Sequence, residues 1–214
     1  MDDLAAKIDA ICRRIPAGVT LLAVTKTVPP ERVDAALKAG ITVFGENKLQ
    51  EAKAKIPLVS SRARWHFIGH LQTNKARDAV ELFELIHSVD SLRVAGELNK
   101  WAERAGKTQP ILLEVNVAGE ADKFGIQPED LPAMLSQIQQ LTHLEVRGLM
   151  TVPPLVGDPR PHFRRLRELR DTTGLRELSM GMSHDFEAAI EEGATIVRIG
   201  TAIFGERTRN EPTD

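Results

Sequence analysis

Tyrosine is missing altogether from this 214-residue chain, and aromatic residues of every kind make up only 4% of it. A single cysteine, Cys12, excludes an intramolecular disulfide and any paired-cysteine zinc or redox site. No apolar run approaches the roughly 18 residues that cross a bilayer. The opening Met-Asp-Asp-Leu-Ala-Ala-Lys lacks the basic-then-apolar layout of a secretory signal. Charge of one sign is scarce too: 28 Lys+Arg against 30 Asp+Glu leave a net −2, which excludes an overall basic nucleic-acid binder. No Gly/Ser-rich linker divides the chain, and neither a P-loop nor a dinucleotide fingerprint occurs. With 42% apolar residues the chain can bury a full core. The expectation is a cytoplasmic globular protein with no membrane or nucleic-acid partner, and a monomer.

What is present is alternation. Short apolar runs at 21–24, 41–44, 65–68, 85–88, 111–115, 144–148, 177–179 and 196–199 read as strands. Amphipathic patterns follow them at 30–39, 48–55, 73–82, 92–105, 128–140, 161–172 and 183–192, and a further helix at 3–15 precedes the first strand. Such an α/β order makes either a closed barrel or an open doubly wound sheet. Eight strands at this length favour a (β/α)8 barrel, one domain spanning 1–214 with an extra N-terminal helix.

A barrel predicts where chemistry lies. Sites gather at the C-terminal strand ends, and phosphates favour the loops after strands seven and eight. Polar residues at those ends are Lys26, Asn47, His66, Asp90, Asn116, Ser183 and Thr201. Lys26, in the mouth, is a candidate for a lowered pKa and a Schiff base with a carbonyl compound, against the plain reading of a solvated lysine. Ser183 reads as the N-cap of the helix after the seventh strand, and Gly200-Thr201 opens another. Free N–H groups at such starts bind phosphate. Arg198 sits inside an apolar strand and needs a partner, either a structural carboxylate or a ligand.

Other groupings fail on spacing. Ser183-His184-Asp185 are consecutive and cannot converge as a triad. His66 and His70 lack the intervening glutamate of a zincin, and no metal site is expected. The arginines from Arg160 to Arg170 read as a solvated helix face that turns Leu166 and Leu169 inward.

Five segments together resemble the pyridoxal 5′-phosphate homeostasis protein family. They are Ala23-Val24-Thr25-Lys26, Phe44-Gly45-Glu46-Asn47, the stretch from His66 to Lys75, Ser179-Met180-Gly181-Met182-Ser183, and Val197 through Gly205. The resemblance spans essentially the whole chain. It implies a fold-type III barrel related to the N-terminal domain of alanine racemase, binding pyridoxal 5′-phosphate (PLP) as an aldimine on Lys26. It further implies that Ser183, Gly200 and Thr201 hold the phosphate, that Arg198 meets the pyridine nitrogen, and that Asn47 lies near the ring. The role implied is intracellular vitamin B6 and amino-acid homeostasis, with PLP-dependent apoenzymes as recipients.

The competing class is a PLP-dependent amino-acid racemase. Such an enzyme needs a second acid/base opposite the lysine, a tyrosine in alanine racemases. Here there is no tyrosine, no second domain is expected, and Cys12 precedes the first strand. His66 would be the first substitute. The sequence therefore favours a non-catalytic carrier, and an interaction module with a vestigial pocket is the third class.

Overall fold

Leu22 and Val24 turn one way along the first strand, and Leu21 and Ala23 the other, so its two faces meet different cores. The same alternation recurs around eight strands: β1 Thr20–Val24, β2 Val43–Glu46, β3 Arg64–Phe67, β4 Leu85–Val89, β5 Gln109–Glu114, β6 Leu144–Met150, β7 Glu177–Ser179 and β8 Ile196–Ile199. All pair in parallel with their sequence neighbours, and β1 also pairs β8, which closes the barrel. The computed structural model describes residues 4–120 and 122–206; Asp3, placed in the first predicted helix, lies outside the described residues.

Inside the barrel, Leu22, Val43, Leu85, Leu112, Met150 and Ile196 form a small apolar layer. The larger core lies between strands and helices, where outward residues such as Phe44, Phe67 and Ile86 are buried. The covering helices are α1 Leu4–Cys12, α2 Pro30–Lys38, α3 Leu49–Lys55, α4 Ala76–Leu82, α5 Leu92–Arg104, α6 Leu131–Ile138, α7 Arg160–Thr173 and α8 Phe186–Glu191. A four-residue turn of helix, α9 Thr201–Phe204, follows β8 where Gly200-Thr201 were expected to open one. Local chemistry explains several boundaries. Pro30 takes the first position of α2, where its missing N–H costs nothing. Ser91 caps α5 by accepting from Val94 N–H. The arginines of α7 face outward as expected: Arg160 pairs with Glu191 and Arg164 with Glu192, while Leu166 is buried.

Two expected boundaries move. β2 begins at Val43 rather than Ile41 and runs on through Glu46, because the glutamate's charge is matched from outside the strand. The helix expected from Ser183 begins at Phe186, because Asp185 accepts from Met182 N–H and folds residues 182–185 into a turn.

Candidate functional site

Strand register assembles the mouth. Ala23 lies opposite Ile199 on β8, and Val24 opposite Gly45 on β2. Lys26, Asn47 and Gly200-Thr201 follow the C-terminal ends of these three adjacent strands and so share one rim. Val24 already crowds Gly200, with its Cβ 3.3 Å from where a side chain there would start. Lys26 is not the last strand residue, as the sequence suggested; it is half-buried in a turn two residues beyond Val24.

That turn is gripped from both sides. Thr25 donates its hydroxyl to Glu46 Oε1 at 2.6 Å, and its carbonyl accepts from Lys55 Nζ at 2.6 Å. Thr27 donates its N–H to Glu51 Oε1, also at 2.6 Å. Lys55 Nζ completes the cluster by pairing with Glu46 at 2.7 Å and Glu51 at 2.6 Å. Glu46 and Lys55 are buried, so neither charge is left to water. Burial pushes the Glu46 carboxyl up, while hydrogen bonds from Lys55 and Thr25 pull it back. Thr27 has φ +62°, a left-handed backbone unusual for a β-branched residue. Such a conformation persists only where its surroundings impose it, and the bond to Glu51 is part of that imposition.

On the other side of Lys26, Ser183 does not cap α8, contrary to the expectation. Its Oγ reaches across to the start of α9 and accepts from Gly200 N–H and Ala202 N–H, each at 3.3 Å. The start of α9 and the loop after β7 are thereby one unit. Gly181 makes this approach feasible: at φ +88° its Cβ would lie 2.5 Å from the Ala189 methyl of α8. Thr201 is the exposed first residue of α9, free to meet a ligand from the solvent side.

Arg198 lies deeper, on the inner face of β8, and is 4% exposed. The sequence left its partner open between a carboxylate and a ligand. Its hydrogen bonds go to neutral oxygens: Nη1 donates to Ser179 Oγ at 2.7 Å and Nη2 to the Thr151 carbonyl at 2.8 Å. Burial draws its pKa down to about 10, with Glu114 and Asp185 opposing, so it stays charged at neutral pH. Glu114, on β5, is pushed up to about 7 by burial and by Asp90.

Asn47 follows β2, and its Oδ1 is buried without a hydrogen-bond partner. The backbone beside it is tight, since a Cβ on Gly69 would lie 2.1 Å from the Asn47 carbonyl oxygen. The remaining strand-end residues do not join this group. Asp90 lies 3.4 Å from His70, which stacks on Phe124, and Asn116 folds its own loop by donating to the Glu120 carbonyl. His66 points into the barrel at His87 and not at His70. Among the described residues no cluster of His, Cys, Asp or Glu is fit to hold a metal ion.

Sequence reasoning passed over His87, Ser179, Thr151 and the Glu46–Glu51–Lys55 cluster. The available signals were a histidine and a serine on inward positions of apolar strands, and the i,i+4 spacing of Glu51 and Lys55.

The residues present fit a phosphorylated, ring-bearing aldehyde. A lysine stands at the mouth, an orphaned amide oxygen follows the end of the adjacent strand, a charged guanidinium sits below, and a single hydroxyl is stretched between two backbone N–H groups that an anion would satisfy better.

Comparison with known proteins points the same way. The family described as alanine racemase, N-terminal domain, matches residues 1–208. The chain is 46% identical to the pyridoxal phosphate homeostasis protein of Aquifex aeolicus, over 94% of each chain. It is 49% identical to the protein of that name from Pseudomonas aeruginosa, over 93% of this chain and 89% of that one. Its fold is similar to the structure of PipY from Synechococcus elongatus PCC7942 with PLP bound: TM-score 0.88, 39% identity, 94% of this chain and 100% of that one.

Proposed function

Because this chain belongs to the pyridoxal phosphate homeostasis family, built on the alanine racemase N-terminal domain, we propose that it holds PLP at the C-terminal mouth of its barrel and acts in vitamin B6 and amino-acid homeostasis. The single observation that carries this reading is the pairing of β1 with β2 and β8, after whose C-terminal ends Lys26, Asn47 and Gly200 follow on one rim, with Arg198 below on β8. When bound, the group supplies an aldehyde that condenses with amines and a conjugated ring that accepts electron density.

The chain's own residues then divide the work. Lys26 provides the amine for the covalent link, and the clamp on Thr25 and Thr27 fixes where that amine sits. Ser183, Gly200 and Thr201 take the phosphate through hydroxyl and N–H donors. Arg198 meets the ring nitrogen, and its charge disfavours a proton there. Asn47 lies beside the ring. A ring whose nitrogen stays unprotonated is a weaker electron sink, which suits retention over turnover. The protein is then a single-domain cytoplasmic carrier, monomeric, whose recipients are apoenzymes that need the group. No helix among the described residues is long and apolar enough to cross a membrane.

An absorbance spectrum of the purified protein, before and after borohydride reduction, tests the link. The reduced label should map to Lys26, and Lys26→Ala should stay folded while losing the visible band. A label on another lysine moves the assignment. Incubation with L-alanine in deuterated water tests turnover: inversion should stay far below the roughly 10 s⁻¹ of ordinary enzymes. Inversion at that rate, abolished by Lys26→Ala, would replace the carrier with the racemase.

A further inference from the structure

Below Arg198 a hydrogen-bonded chain continues down the barrel through residues the binding reading does not use. Ser179 Oγ, which accepts from Arg198 Nη1, lies 2.8 Å from His87 Nδ1. His87 Nε2 lies 3.0 Å from His66 Nδ1. The four residues come from β8, β7, β4 and β3, and none is more than 5% exposed. His66 in turn lines a polar cavity of about 520 Å³ at the opposite, N-terminal end of the barrel, with Arg64, Lys107 and Arg147.

The order of donors along this chain follows from its top member. A guanidinium only donates, so Ser179 Oγ accepts there and has its own proton left to give. Among the described residues its one other partner is His87 Nδ1. Were His87 to donate from Nδ1, the serine proton would be buried without an acceptor, which costs about 1–3 kcal/mol. His87 therefore accepts at Nδ1 and bears its proton on Nε2, and His66 accepts at Nδ1 and bears its proton on Nε2 as well. A proton conduit would require Arg198 to accept a proton it has no lone pair to take. The chain is a one-way ladder.

We propose that Ser179 and His87 are positioning residues: the ladder fixes the height and orientation of the Arg198 guanidinium so that its free N–H edge meets the ring nitrogen of PLP. This rests on the reading that the ring nitrogen lies at Arg198. Both imidazoles must be neutral for the ladder to hold, and burial holds both below their ordinary range, His66 down to about 3. Neutral acceptors also orient the guanidinium without cancelling its charge, as a carboxylate would.

Two measurements test it. In ¹⁵N-histidine-labelled protein without cofactor, NMR at pH 7 should find His66 and His87 both protonated at Nε2; a proton on Nδ1 of either overturns the ladder. Next, PLP and its carbocyclic analogue, with CH in place of the ring nitrogen, are titrated into unmodified protein, Ser179→Ala and His87→Gln. Ser179→Ala should reduce the preference for PLP over the analogue by about tenfold, the loss of one hydrogen bond. His87→Gln should keep it, since an amide can accept from Ser179 and donate to His66. An unchanged preference in Ser179→Ala, or an equal loss for both ligands, overturns the positioning role. Failure of unmodified protein to bind either ligand would instead overturn the PLP reading, with the tautomers still decided by NMR.

Discussion

Two buried polar networks serve the same rim, and they are built on opposite principles. Outside the barrel wall, Lys55, Glu46 and Glu51 form an ionic cluster that grips backbone on both sides of Lys26. Inside, His66, His87 and Ser179 form a ladder of neutral groups that ends on one cation, Arg198. The outer cluster has no ligand to serve directly: one ammonium is shared by two carboxylates, and the further hydrogen bonds hold a strained turn. The inner chain ends on Arg198, the proposed partner of the ring nitrogen, and its neutral groups leave that charge uncancelled. Every member of the inner chain is buried, while in the outer cluster Glu46 and Lys55 are buried and Glu51 is partly exposed. What differs is whether the site needs a fixed backbone or a fixed charge.

Breaking the outer network should give the largest effect. Lys55→Met leaves Glu46 buried without its cation and should cost about 3–5 kcal/mol in urea unfolding. Adding Glu46→Gln should recover more than half of that, because the uncompensated charge is then gone. If the double variant is no better than the single one, packing and not charge is what Lys55 supplies.

Acid should expose the inner network. An imidazole held near 3 in the folded state, with an ordinary value of 6.5, leaves the unfolded chain binding more protons between those limits. Stability is thus full above pH 6.5 and falls on acidification by up to about 1.4 kcal/mol per pH unit for His66. Denaturant midpoints from pH 7 to 5 should differ between unmodified protein and His66→Gln by this slope; His87, also held low by burial, adds to the fall in both and Glu114 opposes it in both. The outer cluster, which has no histidine, contributes none of it.

Glu114 sharpens the contrast, being a carboxylate near Arg198 that does not pair with it. Its carboxyl is raised from 4.5 to about 7, so the folded state keeps the proton longer than the unfolded one. Stability is then lost as pH rises from 4.5 through 7. Glu114→Gln should be more stable than the unmodified protein by about 3 kcal/mol at pH 8 and close to it at pH 4.5. Thermal melts at the two pH values decide this.

The smallest effect on stability is expected at Thr27. Thr27→Gly relieves the left-handed backbone while adding freedom to the unfolded chain, for a net change within about 1 kcal/mol. The loosened turn should nonetheless release bound PLP faster, measured by loss of visible absorbance on dilution into a PLP scavenger. An unchanged release rate would mean that the clamp does not govern Lys26.

The barrel was legible because its signal is local: apolar runs alternate with amphipathic ones, and β7 and β8 fall on the expected residues. β2 shifted by two because a charged Glu46 in a strand looks wrong until Lys55, nine residues on, is placed against it. Lys26, Gly200 and Arg198 could be picked out from their strand positions, and Asn47 from the strand end it follows. The partners that hold them could not. His87 and Ser179 stand 92 residues apart in sequence, and nothing in either local pattern announces the other. Ser183 was named for the right neighbourhood and the wrong bond, since an N-cap is a local motif and its actual partners follow the next strand.

The closure of β8 onto β1 has a consequence for synthesis. Lys26 is made early and Arg198, Gly200 and Thr201 late, so the rim stays open until the last strand docks on the first. Long-range pairing of this kind comes late in folding. A ribosome-bound chain lacking β8 carries Lys26 but not Arg198, Gly200 or Thr201, so on the proposed function it has no complete seat for PLP. Retention of PLP would then report that the last strand has closed on the first.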